Sequence, residues 1–214
     1  MEAHERFRDR RDGGRSLAAQ LQGYAGRRDL LVLALPRGGV AVAHEVARAL
    51  RAPLDLAIVR KLGVPGREEL ALGAIGSGGV IVLNDDVIDA LRIDRTTIDE
   101  VIAREQMELA RRELRYRNDR PLRDLRGATL IVVDDGLATG ASMLAAVAAL
   151  RVREPARIVV AIPVAATETC ELVRHAADEV VCCWTPVPFG GVGAWYENFT
   201  QLKDADVRRF LTRR

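Results

Sequence analysis

The sequence lacks any apolar run that could cross a membrane. Its longest run, residues 158–166, has nine residues and contains Pro163, whereas a spanning helix needs about 18 or more. The N-terminal residues are basic, but no apolar stretch follows them as it would in a secretory signal. We therefore expect no membrane partner and a cytoplasmic protein.

Cysteine is scarce, and neither sign of charge dominates. The three cysteines, Cys170, Cys182 and Cys183, cannot all pair and lack zinc-site spacing, so we interpret them as reduced core residues. The 32 basic and 30 acidic side chains give a net charge of +2. This balance does not indicate a dedicated nucleic-acid binder, and no nucleic-acid partner is expected.

What the chain has is apolar material, 49% of its 214 residues, in short runs that alternate with helical patterns. The runs predict strands, and the patterns between them predict helices. Wholly apolar strands alternating with helices indicate an α/β fold with a parallel sheet covered on both faces. The predicted strands are 30–35, 54–59, 129–133, 157–162 and 179–183, and the predicted helices are 40–50, 95–117, 141–151 and 168–177.

A glycine-rich stretch separates the second of these strands from the long helix. It predicts a mobile loop at 62–70 and then a hairpin of strands 71–75 and 80–83. Thr96 or Thr97 is the predicted cap of the long helix. Its arginines are expected to form a solvated face, paired with the glutamates of the same helix.

The strongest motif is LIVVDDGLATGAS, residues 130–142. A buried strand ends in Asp134 and Asp135, and a turn of small residues then opens a helix. Backbone N–H groups of that turn and the helix N-terminus can form an anion cradle, and ionised carboxylates accept hydrogen bonds from vicinal hydroxyls. A ribose 5-phosphate fits this combination.

Other interpretations of the motif fail on particular residues. A nucleotide-binding P-loop needs a lysine where Ala141 stands, and a dinucleotide fingerprint has its glycines before the acid. An aspartyl-phosphate enzyme needs a supporting lysine, and only Lys203 follows. A merely solvated acidic turn would not require this ordered arrangement.

At this motif the sequence resembles the type I phosphoribosyltransferases. Their signature for 5-phosphoribosyl 1-diphosphate (PRPP) is an apolar strand, two acids and a loop of the form x-x-[AD]-T-G-x-[ST], which VVDDGLATGAS matches throughout. The resemblance implies a parallel sheet of about five strands flanked by helices, with a small hood. It implies that Asp134 and Asp135 hold the ribose hydroxyls and contact Mg²⁺ indirectly. The implied PRPP-binding loop is Gly136, Leu137, Ala138, Thr139, Gly140, Ala141 and Ser142.

Two further strand ends carry candidate residues. LPRGG, residues 35–39, brings glycines and a guanidinium to one of them; the resemblance implies that Arg37, Gly38 and Gly39 bind pyrophosphate, with a cis peptide at Pro36–Arg37. An ordinary strand-to-helix turn is the alternative. The pair Arg60 and Lys61 follows the next strand, as in the adenine and orotate branches of the family.

The resemblance makes residues 62–70 a mobile catalytic loop after this pair. Within it Glu68 is a candidate catalytic acid, beside Lys61 and Arg37. A solvated surface loop is the alternative for Glu68. Lys61 is one of only two lysines in the chain, the other being Lys203.

The tail PVPFGGVGAWYENF concentrates aromatic residues near a strand end. Phe189, Trp195 and Tyr196 are candidates for stacking on a planar base, and a plug for the core is an equal alternative. The acceptor stays open. The 6-oxopurine enzymes have an aspartate where Ala138 stands, whereas adenine and orotate enzymes have alanine.

The resemblance implies transfer of the phosphoribosyl group from PRPP to a nitrogen of a nucleobase-like acceptor, with Mg²⁺ and release of pyrophosphate. We expect one domain over 1–214, with a core at about 15–185 and hood elements from 61–95 and 186–214, and we allow for a homodimer. The alternative is a PRPP-sensing regulator, for which residues 6–15 and the helix face 104–120 are the candidate basic surfaces. A phosphohydrolase using Asp134 is a third interpretation.

Overall fold

The computed structural model describes residues 6–117 and 123–212. Its strands are β1 (Leu30–Ala34), β2 (Leu54–Leu56), β3 (Val59–Val64), β4 (Arg67–Gly76), β5 (Val80–Leu83), β6 (Thr129–Val133), β7 (Arg157–Val164) and β8 (Glu179–Trp184). Its helices are α1 (Arg10–Gln20), α2 (Gly39–Leu50), α3 (Asp85–Leu91), α4 (Arg95–Arg117), α5 (Ala141–Arg151), α6 (Thr167–Arg174) and α7 (Asp204–Thr212).

Five parallel strands form the main sheet, in the order β2-β1-β6-β7-β8. Every residue of β1 and β6 is buried, because helices cover both faces. Leu17 of α1 and Val46 of α2 belong to the cluster on one face, and Met143 of α5 and Val173 of α6 belong to the cluster on the other. The predicted α/β fold with about five parallel strands is confirmed.

A second sheet contains β3, β4 and β5, all antiparallel. The prediction of one strand at 54–59 is therefore wrong: β2 ends at Leu56, and the chain leaves the main sheet through Ala57 and Ile58. Both residues are buried, and apolarity alone does not reveal that the hydrogen-bonding partner has changed.

The predicted mobile loop at 62–70 is also wrong as local structure. Most of it is paired backbone, because β3 and β4 form a hairpin that turns at Pro65 and Gly66. Buried Leu62 and Val64 alternate with the half-exposed Lys61 and Gly63, which is the period of a strand with one covered face. The glycines and the proline obscured that alternation.

The long helix α4 has its predicted bounds but not its predicted cap. Asp94 accepts hydrogen bonds from the backbone N–H and the hydroxyl of Thr97, both at 2.9 Å, so Asp94 caps the helix. No helix in residues 6–117 and 123–212 has the length and apolarity to cross a membrane.

Candidate active site

The two acids of the motif follow β6, the central strand of the main sheet. Asp134 and Asp135 are both half-buried, and the Asp135 N–H donates to Asp134 Oδ1 at 2.8 Å. Burial and the neighbouring Asp135 charge raise the pKa of the Asp134 carboxyl well above its usual range. The acid pair therefore lies at the carboxyl end of a parallel sheet, where ligands bind in such folds.

Asp135 is held by an arginine that the sequence did not single out. Arg10 of α1 donates from Nε to Asp135 Oδ2 at 2.7 Å, and from Nη1 to the carbonyl of Thr200 at 2.8 Å. Its guanidinium lies 3.8 Å from the centre of the Phe199 ring. Arg10 is one of several arginines near the N-terminus, and no local pattern distinguishes it. Because it is buried, it cannot contribute to a basic surface at residues 6–15.

The loop after β1 packs directly against the acid pair. A Cβ on Gly38 would lie 2.0 Å from Asp135 Oδ2, and a Cβ on Gly39 would lie 2.8 Å from Asp134 Cα. Both positions therefore need glycine for space. The Pro36–Arg37 peptide bond is cis, as the resemblance implied.

The phosphate loop, residues 136–142, turns away from the acid pair into α5. Thr169 of α6 donates its hydroxyl to the Ala138 carbonyl, and the Leu137 N–H donates to Val164. Gly140 has φ +73°, and no side chain caps α5. Thr139 and Ser142 are exposed, and their hydroxyls have no hydrogen-bond partner among the described residues. Neighbouring segments therefore hold the loop in place, and the exposed hydroxyls of Thr139 and Ser142 can donate to a ligand, as an anion site requires.

A cleft of about 380 Å³ joins the phosphate loop to the second sheet. We call it the phosphate cleft. Arg60, which lines this cleft, forms an ion pair with Glu105 of α4, with Arg60 Nη2 2.6 Å from Glu105 Oε2. This cleft brings five predicted site residues to one place. They are Asp134, Ser142, Arg60, Lys61 and Glu68.

A second cleft, of about 670 Å³, lies beside the first and shares Pro36 and Arg112 with it. We call it the arginine cleft. Its walls come from α1, the loop after β1, the second half of α4 and residues 199–204. The polar and charged residues lining it are Arg10, Arg37, Arg111, Arg112, Arg115, Tyr116, Asp135, Gln201 and Asp204.

The α4 arginines are therefore not simply a solvated face. Arg111 and Arg112 do pair with Glu108 of their own helix, as predicted. Arg115 instead reaches Asp204 at the start of α7, at 2.6 Å. Residues 118–120 of the predicted basic face lie outside the described residues.

The tail aromatics form a small core of their own. Tyr196 is buried, and its hydroxyl donates to the Asp135 carbonyl at 2.6 Å. The Trp195 indole N–H donates to the Phe189 carbonyl. Of the described aromatic residues after β8, Phe199 lines the arginine cleft, whereas these three line neither cleft. Their base-binding role stays a prediction.

Comparison with known proteins identifies the family. The model of the phosphoribosyl transferase domain matches residues 5–196. The chain belongs to the phosphoribosyl transferase family. Two curated Mycobacterium tuberculosis proteins, each named "Putative phosphoribosyl transferase", are 47% identical to it over 97% of this chain and 46% of their own length. The chain thus spans about half the length of these curated relatives.

Solved structures share the fold of this chain. The crystal structure of TT1426 from Thermus thermophilus is 45% identical, with a TM-score of 0.89 over 96% of this chain and 97% of that one. A hypoxanthine-guanine phosphoribosyltransferase from Bacillus anthracis has a TM-score of 0.50 and 12% identity over 92% of this chain and 95% of that one. At that identity the likeness shows the fold alone.

Within this phosphoribosyl transferase domain, several of the predicted residues divide between the two clefts, whereas Thr139 and Ala141 line a third pocket together with Lys61. Asp134 lines the phosphate cleft, whereas Asp135, Arg37 and Gly38 line the arginine cleft. Sequence reasoning missed the residues that tie distant segments to the site. These are Arg10, Glu105 and Asp204.

Proposed function

We propose that this chain transfers the 5-phosphoribosyl group of PRPP to a ring nitrogen of a nucleobase-like acceptor. One observation carries the proposal. Ser142 at the end of the phosphate loop, the carboxyl of Asp134 and the Arg60–Lys61 pair line a single cleft at the carboxyl end of the sheet. The loop suits the 5-phosphate, Asp134 suits the ribose hydroxyls, and the cations suit a diphosphate.

In the proposed reaction the bond from the ribose C1 to the diphosphate oxygen breaks, and a bond from C1 to the acceptor nitrogen forms. The electron pair of the broken bond leaves on pyrophosphate, and the acceptor nitrogen loses its proton to solvent or a neighbouring base. Arg37, Arg60 and Lys61 would stabilise the charge that develops on the leaving group. The carboxylates would hold the ribose in a reactive orientation.

The residues of this site fit Mg²⁺ only as an ion that binds together with the substrate. Residues 6–117 and 123–212 contain no cluster of three or more histidine, cysteine or acidic side chains that could hold a metal ion. The two adjacent carboxylates can add oxygen ligands to an ion carried mainly by phosphate groups and water, as Mg²⁺ prefers. When bound, Mg²⁺ would neutralise charge on the diphosphate. Asp134 is the carboxylate we propose for that contact, because Arg10 already occupies Asp135.

One position in the phosphate loop, Ala138, limits the range of possible acceptors. Ala138 offers no carboxylate to a base ring, so we propose that hypoxanthine and guanine are poor acceptors. Turnover of either base at the rate of the best acceptor found would contradict this.

The test of the proposed function is pyrophosphate release from PRPP and Mg²⁺ in the presence of a panel of nitrogen heterocycles. We expect release that depends on an acceptor. Release without an acceptor would indicate a hydrolase. Calorimetric binding of PRPP without release for any acceptor would favour a sensor. Absence of both binding and release would refute the proposal.

A further inference from the structure

The inner face of α4 contains a buried carboxylate where an apolar side chain is expected. Ile98, Val101 and Leu109 belong to one core cluster, and Glu105 lies in line with them at helical spacing, only 8% exposed. Taking a carboxylate out of water costs free energy unless a partner compensates its charge. The packing of α4 alone therefore does not explain why Glu105 is there.

The main partner of Glu105 is Arg60 of β3. Side chains alternate between the two faces of a strand, so Arg60 shares its face with the buried Leu62 and Val64. These two belong to the same core cluster as the inner residues of α4, and that helix packs on β3. The packing brings Arg60 Nε within 2.8 Å and Nη2 within 2.6 Å of one carboxylate oxygen, Glu105 Oε2.

This two-point contact holds the guanidinium of Arg60 in one orientation. Its Nε–Nη2 edge faces Glu105, whereas Nη1 has no hydrogen-bond partner among the described residues. Arg60 also lines the phosphate cleft, together with Lys61 and Asp134. A long side chain that is ordered before a ligand arrives binds it without the entropic cost of being ordered at that moment. The ion pair thus keeps Arg60 ordered at the cleft with N–H donors still available.

Stability alone is a weak reason for such a pair. A buried ion pair can often be replaced by apolar residues of similar volume with no loss of stability, and apolar residues surround this one. The second oxygen of Glu105, Oε1, accepts a hydrogen bond from Arg104 Nε at 3.3 Å. Arg104 lines the phosphate cleft as well. Both arginines that Glu105 binds are therefore at the cleft, which connects this carboxylate to ligand binding.

We propose that Glu105 is a positioning residue that orients Arg60 toward the diphosphate of the substrate. This inference rests on the proposed function, which assigns Arg60 to the leaving group, and it adds the residue through which α4 acts on the reaction. The charge of Glu105 by itself would weaken the binding of an anion in the cleft. Its hold on Arg60 strengthens that binding, because the cation is already ordered. These two effects have opposite signs, so an experiment can tell them apart.

The test measures the dissociation constant of pyrophosphate in the presence of Mg²⁺ by isothermal calorimetry, which needs no acceptor. Glu105→Gln keeps the size of the side chain and removes its charge. We expect its dissociation constant to be about two- to tenfold higher than that of wild type, the cost of ordering one long side chain. The matched control is Asp99→Asn, which removes the carboxylate of an exposed ion pair with Arg95 on the same helix. It should bind pyrophosphate as wild type does.

Arg60→Lys provides a second variant, which keeps the positive charge but loses the two-point contact. It should bind pyrophosphate less tightly than wild type. Adding Glu105→Gln to Arg60→Lys should weaken binding no further, because Glu105 acts through Arg60. Unchanged or tighter binding in Glu105→Gln alone would overturn the inference, and so would an equal loss in the two backgrounds. If Glu105→Gln does not fold, wild-type affinity in Arg60→Lys would overturn it.

The outcomes separate this inference from the proposed function. A wild-type protein that binds neither PRPP nor pyrophosphate with Mg²⁺ would refute the proposed function and this inference with it. If wild type binds both and Glu105→Gln binds them equally well, only the inference fails. Urea denaturation identifies a purely structural role, which would lower the free energy of unfolding of Glu105→Gln and leave its pyrophosphate affinity unchanged.

Discussion

The phosphate cleft and the arginine cleft lie side by side, and each is lined by one of two adjacent aspartates. The surroundings of these two carboxyl groups differ. Asp135 enters the arginine cleft already bound to Arg10, at 2.7 Å. Asp134 enters the phosphate cleft, where burial and the charge of Asp135 raise its pKa. The difference shows that two adjacent carboxyl groups can have different roles. One carboxyl ties the N-terminal helix to the site, and the other is left for a ligand.

The largest expected effect is on the rate of phosphoribosyl transfer, at Lys61 in the phosphate cleft. Lys61→Ala should lower kcat by about ten- to a thousand-fold with a smaller change in KM for PRPP, since its contact with the leaving group strengthens in the transition state. Steady-state kinetics measure this. Lys203→Ala, at the other lysine, should match wild type. Equal rates for the two variants would place Lys61 outside the reaction.

The next effect is on stability, in the arginine cleft. Arg10→Met should lower the free energy of unfolding by about 3 kcal/mol, because a half-buried Asp135 loses its counter-charge while the packing volume is kept. Urea denaturation measures this.

Two further variants sharpen the Arg10 test. Arg8→Met should change little, since the Arg8 pair with Asp12 is largely exposed. Adding Asp135→Asn to Arg10→Met should restore much of the loss. A fully stable Arg10→Met variant would show that the ion pair does not hold α1.

A smaller effect is expected on the affinity for PRPP, at Asp134. Asp134→Asn should weaken PRPP binding in the presence of Mg²⁺ by about tenfold or more, the loss expected for a charged hydrogen bond to the ribose. Isothermal calorimetry measures this, with Asp89→Asn on α3 as the control. If PRPP binds the Asp134→Asn variant as tightly as wild type, the ribose contact lies elsewhere.

The smallest expected effect is on the pH dependence of stability. A carboxyl with a raised pKa favours the folded state while it is protonated, and it loses that contribution as the pH rises from the usual value of 3.8 through the raised folded value. Asp134→Asn has no such proton to lose. Its melting temperature relative to wild type should therefore increase with pH. Melting curves at pH 4–8 measure this, and a constant difference would mean that Asp134 is not perturbed.

Much of the main sheet could be predicted because its signals are local. The helix bounds at 95–117 and 141–151 were predicted to the residue, since an apolar face at helical period and the flanking loops mark them. The second sheet was less visible. A largely apolar run such as residues 54–59 has the same pattern whether it stays in one sheet or passes to another. The turn residues Gly63, Pro65 and Gly66 suggested a loop where the backbone in fact pairs.

The sequence by itself determined the family and the phosphate loop, because two acids followed by a Thr-Gly turn after a buried strand lie within one short segment. Only the tertiary structure decided which of the two acids an arginine binds, and which arginines meet in a cleft. Arg10 contacts Asp135 across 125 positions of the chain, and Arg115 contacts Asp204 across 89. Such pairs depend on how the helices pack on the sheet. An arginine that will be buried against a carboxylate has the same local surroundings in the sequence as one that stays in water.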